Sequence, residues 1–223
     1  MTGTRTALLT VLLCSILIVA SSCAKSRTNR TQGTQDALQQ TASERMSNLR
    51  SSVVELQRTI SQLPTNDIER DKRLTTQALA STASALAAVE GPRPSGAYRQ
   101  QVRVIENSRT QLERSGPNVP TEPAVDSALR AAYNALIGLR DGRFSGNQQV
   151  AGLVSEVGQK IPQLDTVRGP LHTLVVTDVL SSAARALAMM TDVVENRASD
   201  GAATRPANQA GMQATTRPVA GAR

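Results

Sequence analysis

Residues 42–64 read ASERMSNLRSSVVELQRTISQLP, and this stretch decides the fold. Its apolar residues recur at alternating steps of four and three, at Ala42, Met46, Leu49, Val53, Leu56, Ile60 and Leu63. This is the a/d spacing of a coiled-coil-like helix, because it places these side chains along one stripe of the helix surface. Pro64 cannot donate a backbone hydrogen bond, so we expect the helix to end there.

The chain downstream repeats the pattern of apolar stripes separated by glycine and proline. The separators lie at residues 91–96, 116–117, 141–146 and 169–170. Three pairs or groups of residues are typical of helix starts: Asn66 with Glu69, Thr121 with Glu122 and Pro123, and Ser145 with Gln148. The last helix should be long and should present Leu171, Leu174, Val175, Val179, Ala183, Ala186, Leu187, Met190 and Val194.

These segments predict an all-α protein, an elongated helical bundle of about six helices formed by residues 35–198. No segment shows the alternating pattern of a strand. The core must be built from Leu, Val, Ile and many alanines, since aromatic residues make up 1% of the chain.

The first 22 residues have the pattern of an export signal. Arg5 precedes an uncharged, largely apolar run from Ala7 to Ala20, and small residues follow it. A charged start, a short apolar middle and a small-residue exit are the features of a secretory signal peptide, which is removed and does not join the fold. We therefore expect the mature protein to lie outside the cytoplasm.

The end of this signal peptide resembles the lipobox of bacterial lipoproteins, through Val19, Ala20, Ser21, Ser22 and Cys23. The resemblance covers only the leader. It implies that the sulfur of Cys23 takes a diacylglyceryl group and that its freed amine takes a further acyl chain, such as palmitate. It also implies a cell-envelope protein held by lipid on the periplasmic or outer face. Because Ala24 follows the cysteine and no Asp does, the outer membrane is favoured in a two-membrane bacterium.

Two other interpretations of the leader remain. Ala20 and Ser22 also fit the small-x-small pattern of an ordinary signal peptidase site, which would release the protein. Alternatively, the apolar run could remain as a short anchor, although about 20 residues are normally needed to span a bilayer.

The positive charge lies in the flanks of the chain. The net charge is +7, but residues 35–198 hold 18 basic and 17 acidic side chains, a difference of +1. The remaining excess lies mainly in residues 23–34, predicted to be a lipidated terminus and flexible tether, and in residues 199–223, predicted to be a disordered tail. A nucleic-acid binder would carry a basic face on its folded part, so we expect no nucleic-acid partner.

The residue types of the common catalytic and metal sites are scarce. His172 is the only histidine, and Cys23 would be the only thiol after removal of the leader and its Cys14. We therefore expect no metal site and no cofactor. A catalytic triad could use His172 only with a carboxylate such as Asp165 or Asp178, and we expect His172 to be an ordinary polar residue at a helix start. A buried His172 beside two carboxylates in a cleft would favour an enzyme.

Two functions follow from these observations. The first is a cell-envelope lipoprotein whose bundle is a membrane-tethered scaffold or protein-interaction module without catalysis, with membrane lipid bound through Cys23 and a protein partner or self-association through the bundle. The alternative is a periplasmic helical bundle that binds a small apolar ligand or lipid, with an enclosed cavity expected near Met189 and Met190.

Overall fold

A computed structural model describes residues 26–65, 67–90, 95–116 and 119–203 of the chain, with side chains described from residue 42 to residue 199 of these ranges. This part of the chain is helical and contains no strand, so the all-α prediction is confirmed. The helices are α1 (Ser26–Ile60), α2 (Ile68–Glu90), α3 (Gly96–Arg114), α4 (Glu122–Asp141), α5 (Gln148–Lys160), the single turn α6 (Gln163–Thr166) and α7 (Pro170–Ala203).

The chain divides into two compact units, Met1–Ser47 and Asn48–Arg223. The second unit contains the end of α1 and all later helices. The signal peptide over residues 1–22, the lipidation site Cys23 and the tail from residue 204 lie outside the described residues. Residues 26–34, which were predicted to lie in the tether, are helical, and α7 continues to Ala203. Both extensions lack proline, the residue that most strongly interrupts a helix, although each contains one glycine, Gly33 or Gly201.

The apolar stripe of α1 is buried from Leu49 onward. Leu49, Val53, Leu56, Ile60 and Leu63 are all buried, as their spacing predicts. Helix α1 ends at Ile60, four residues before Pro64. The predicted helix end is therefore confirmed.

The starts of two helices use different caps from those predicted. Asp67 caps α2, because its Oδ1 accepts hydrogen bonds from the amides of Glu69 and Arg70 at 3.0 and 3.1 Å, and the predicted cap Asn66 lies outside the described residues. Helix α5 is capped by the side chain of Asn147, which accepts from the amide of Val150. Gly146 stands just before this cap with φ of +86°, a backbone conformation that glycine adopts without strain.

Small side chains let the helices of the second unit pack closely. Helix α3 packs mainly on α4, and α5 packs mainly on α7. Eleven alanines of the described residues are buried: Ala78, Ala83, Ala85, Ala124, Ala128, Ala131, Ala132, Ala135, Ala183, Ala184 and Ala186. Alanine adds little buried area per residue but allows short distances between helix axes. The prediction of an alanine-rich core is confirmed.

Helix α7 is a core helix whose first turns are partly uncovered. Val179, Leu187 and Met190 are buried as predicted, but Leu171 and Leu174 are exposed and Val176 is buried in their place. Over Pro170–Ser199 the helix is long and apolar enough to cross a membrane, yet half of this apolar stretch is buried within the protein. Packing against the other helices accounts for that apolar composition.

Candidate functional site

A cavity of about 730 Å³ opens where several helix ends of the second unit meet. Its wall is formed by the loop after α1, the end of α3 and the first turns of α2, α4 and α7. Binding sites for small molecules commonly measure roughly 300 to 1,000 Å³ and favour positions between helices of a bundle. The cavity is therefore large enough for a small organic molecule.

Apolar side chains form most of the wall of this cavity. They are Pro64, Ile68, Leu112, Val119, Pro120, Val125, Pro170, Leu174 and Val176. Three of them are unusually exposed for apolar residues, with exposed fractions of 83% at Ile68, 50% at Val119 and 49% at Leu174. An apolar patch that a protein leaves uncovered is a common property of binding surfaces. These three residues form the apolar rim of the cavity.

His172 is the most deeply buried ionisable residue of the cavity wall, with 4% of its surface exposed. Its Nε2 lies 2.7 Å from Oδ1 of Asp126, whose side chain is itself mostly buried. A carboxylate can only accept, so Nε2 carries the hydrogen of this bond. In the neutral ring, Nδ1 is then a hydrogen-bond acceptor.

The cavity wall also carries two carboxylates that bind backbone amides. Asp71 accepts a hydrogen bond from the amide of Thr65 at 2.7 Å. Glu122 accepts one from the amide of Gly169 at 2.8 Å, immediately before α7 begins. Carboxylates are stabilised near helix N-termini, where amide hydrogens without intrahelical partners create positive potential. The carboxylates of Asp71 and Glu122 therefore already provide negative charge near the helix starts that line this cavity.

Among the described residues that line the cavity, Lys72 is the one that carries an ammonium or guanidinium group. Its Nζ donates a hydrogen bond of 2.5 Å to the carbonyl oxygen of Ser115, just beyond the end of α3. Carbonyl groups at a helix C-terminus lack intrahelical donors, so a lysine at this position acts as a cap. The ammonium group is thereby directed to the backbone of α3.

The two carboxylates predicted to assist a catalytic His172 lie elsewhere. Asp165 forms an ion pair with Arg130 at 2.7 Å, and Asp178 forms one with Lys160 at 2.7 Å. Both carboxylates contact arginine or lysine on the protein surface, where a cation is a better partner than a neutral ring. The partner of His172 is Asp126, which sequence reasoning missed. His172 lies in the first turn of α7, as predicted, and its ring is buried there.

A buried His172 beside two carboxylates in a cleft would favour an enzyme, and most of this arrangement is present. His172 is buried, Asp126 binds it, and Glu122 lines the same cavity. Hydrolytic catalysis of the triad type also needs a nucleophile within hydrogen-bond distance of the ring. Among the described residues, the side-chain hydrogen bond of His172 is the one to Asp126. In the same part of the chain, no group of three or more His, Cys, Asp or Glu side chains is placed to hold a metal ion.

The cavity does not lie near Met189 and Met190, where it was expected. Met190 is fully buried in the core, and neither methionine lines the cavity. Met190 belongs to the core between helices, whereas the cavity is left where loops and helix ends meet.

Comparison with known proteins adds no relative: no protein-family model, no curated protein and no solved structure matches this chain.

Proposed function

We propose that this protein is a bacterial cell-envelope lipoprotein, anchored through Cys23, whose helical bundle is a non-catalytic interaction module. The observation that carries the proposal is the leader: Arg5, the apolar run over residues 7–20, and small residues immediately before Cys23. This order of features is typical of exported proteins, and the cysteine at its end supports lipidation over simple release.

Acylation of Cys23 would hold the bundle at a bilayer surface. Each buried methylene contributes about 0.8 kcal/mol, so two or three acyl chains retain a protein where a single chain would not. Lys25, Arg27 and Arg30 follow the cysteine. Basic residues at this position add about 1 kcal/mol each near an anionic lipid surface. Lipid and charge therefore act together in the proposed anchor.

The proposal is tested by feeding an alkyne-labelled palmitate to a lipoprotein-processing bacterial host that expresses the full-length chain. The wild-type protein should carry the label, and Cys23→Ala should carry none. Cys14→Ala is the matched control, because it removes the only other cysteine of the chain and should leave the label unchanged. An unlabelled wild-type protein, or a label retained in Cys23→Ala, contradicts the proposal.

The second candidate function is the capture of a small apolar ligand by the bundle. The cavity of about 730 Å³ and its apolar rim favour this function. It is compatible with the first, since a tethered bundle can also bind a ligand. We place binding before catalysis because the described residues bring His172 a carboxylate but no nucleophile.

A further inference from the structure

We propose that the cavity binds an amphiphile with an apolar body and one neutral or cationic hydrogen-bond donor, which Nδ1 of His172 accepts. This inference rests on the second proposed function, ligand capture, and specifies its ligand class. It assigns His172 and Asp126 as the recognition pair of the site.

The apolar body follows from the cavity wall. Leu112, Val125 and Val176 are apolar, and the apolar rim continues the same surface toward solvent. A ligand that covers the rim removes Ile68, Val119 and Leu174 from water, and such burial contributes about 25 cal/mol for each square ångström. A wholly polar ligand would leave this surface exposed.

The hydrogen-bond donor follows from the geometry of the histidine. Asp126 fixes the hydrogen of the ring on Nε2, so the neutral ring presents an acceptor at Nδ1. Among the described residues, Nδ1 has no hydrogen-bond partner. His172 lines the cavity, so Nδ1 is the ring nitrogen that remains to accept a hydrogen bond from a ligand. An alcohol, an amide or an amine can donate to it.

The charges of the wall disfavour an anionic ligand. Helix starts usually attract anions, but here Asp67 caps α2, and Glu122 lies in the first turn of α4 and binds the amide before α7. Asp71 and Glu122 both line the cavity, while Lys72 is bonded to the carbonyl of Ser115. A ligand anion would meet two carboxylates and would have to take Lys72 from its helix end.

Two fluorescent probes with the same aromatic skeleton test the ligand class. N-phenyl-1-naphthylamine is neutral and has one N–H donor, whereas 8-anilinonaphthalene-1-sulfonate adds an anionic sulfonate to this skeleton. The full-length protein in lipid nanodiscs is titrated with each probe, and the signal of empty nanodiscs is subtracted. We expect saturable binding of the neutral probe and at least tenfold weaker binding of the sulfonate.

A pair of matched variants places the probe in the cavity. Thr121 lines the cavity and makes no side-chain cap, so Thr121→Phe should fill the space and weaken binding of the neutral probe at least tenfold. Thr166 is exposed and lies outside the cavity, so Thr166→Phe should leave binding unchanged. Thermal unfolding followed by circular dichroism verifies that both variants are folded.

The ring of His172 supplies a direct readout, because the chain contains one histidine. In protein labelled with ¹⁵N-histidine and reconstituted in bilayers, solid-state NMR should show a protonated Nε2 and an unprotonated Nδ1. The Nδ1 resonance should move upfield when the neutral probe binds.

The outcomes separate the two claims. Absence of saturable binding of either probe contradicts ligand capture and, with it, this inference. Equal or tighter binding of the sulfonate, or binding that leaves the Nδ1 resonance unmoved, contradicts the ligand class while ligand capture stands. Equal binding to wild-type protein and Thr121→Phe places the probe outside the cavity and contradicts the assigned site.

Discussion

Gly158 of α5 lies directly against the phenol group of Tyr133 of α4, so closely that a β-carbon at residue 158 would overlap the tyrosine hydroxyl. The other glycine of α5, Gly152, is exposed and has nothing within 4 Å of the position of its missing β-carbon. The two glycines therefore have different roles, although the sequence presents both as residues that weaken the helix.

Substituting each glycine by alanine should reveal this difference. Gly152→Ala should raise the free energy of unfolding by about 0.5 to 1 kcal/mol, because alanine loses less backbone entropy in a helix. Gly158→Ala should lower it by about 1 to 2 kcal/mol, since the ring of Tyr133 must move from its packed position. Urea unfolding of both variants measures the effect. If Gly158→Ala does not become stabilising in a Tyr133→Ala background, the tyrosine contact is not the cause.

Tyr98 gives a prediction for alkaline pH. Its hydroxyl donates a hydrogen bond of 2.6 Å to the carbonyl oxygen of Leu86, and burial, with a smaller effect of the nearby charge of Glu90, raises the pKa of Tyr98. Tyr98→Phe should cost about 1 kcal/mol at pH 7, through loss of this bond.

Above pH 10 the stability difference between wild-type protein and Tyr98→Phe should diminish. The tyrosine of the unfolded chain loses its proton near pH 10, while the folded protein retains it, so wild-type stability falls by up to about 1.4 kcal/mol for each pH unit. Tyr133→Phe, which leaves Tyr98 in place, should still lose stability above pH 10. Denaturant melts between pH 8 and pH 11 measure these slopes, and parallel curves for wild-type protein and Tyr98→Phe would refute the assignment.

The pair of His172 and Asp126 should contribute to stability as well as to recognition. Asp126→Ala leaves a buried ring nitrogen without its acceptor, so we expect a loss of about 1 to 3 kcal/mol in the free energy of unfolding. Asp126→Asn should cost less, because its amide oxygen still accepts from Nε2. Asp165→Ala, which removes an exposed ion pair with Arg130, should cost less than about 1 kcal/mol. Equal losses in the free energy of unfolding for Asp126→Ala and Asp165→Ala would show that the buried pair stabilises the protein no more than an exposed ion pair does.

Glu156 connects α5 to α7 and should make the bundle sensitive to acid. Desolvation opposes its ionisation, but hydrogen bonds from Lys160 and Ser182 and the positive charges of Arg185 and Lys160 outweigh it, and together they lower the pKa of Glu156. A carboxylate whose pKa is lower in the folded state stabilises the protein above its unfolded pKa, and this contribution is lost as the pH falls through the folded value.

Glu156→Gln should therefore be less stable than wild-type protein at pH 7, and the difference should be smaller at pH 3, where more of the wild-type Glu156 is protonated. The difference should stay below about 1 kcal/mol, because about a third of the Glu156 side chain is exposed and water screens the interaction. Asp192→Asn removes an exposed carboxylate of α7 for which no ion pair is recorded among the described residues, so it should have little effect at either pH. A Glu156→Gln deficit that is as large at pH 3 as at pH 7 would mean that the charge is not responsible.

The fold could be predicted from the sequence because its main signals are local. The stripe from Leu49 to Leu63 and the stop at Pro64 each depend on residues within a few turns of one another, and the structure confirms them. The capping residues at helix starts were harder to predict, because several neighbouring polar residues can each cap a helix. Asp67 and Asn147 lie one and two residues beyond the predicted caps.

The candidate site could not be predicted in the same way. His172 and Asp126 are 46 residues apart, and Lys72 and Ser115 are 43 residues apart, so no local spacing relates the members of either pair. The cavity itself results from the way the ends of four helices and a loop meet. Spacing within one helix shows which face is buried, but it does not show which helix ends leave a space between them.

The central claim, that Cys23 is the lipid anchor, is tested most directly by the mass of the N-terminal peptide of protein purified from a lipoprotein-processing bacterial host. The account predicts a mature chain that begins at Cys23, with a diacylglyceryl group on its sulfur and, in hosts that add it, an acyl chain on its amine. A chain that begins at any other residue, or a Cys23 with an unmodified thiol, would contradict it.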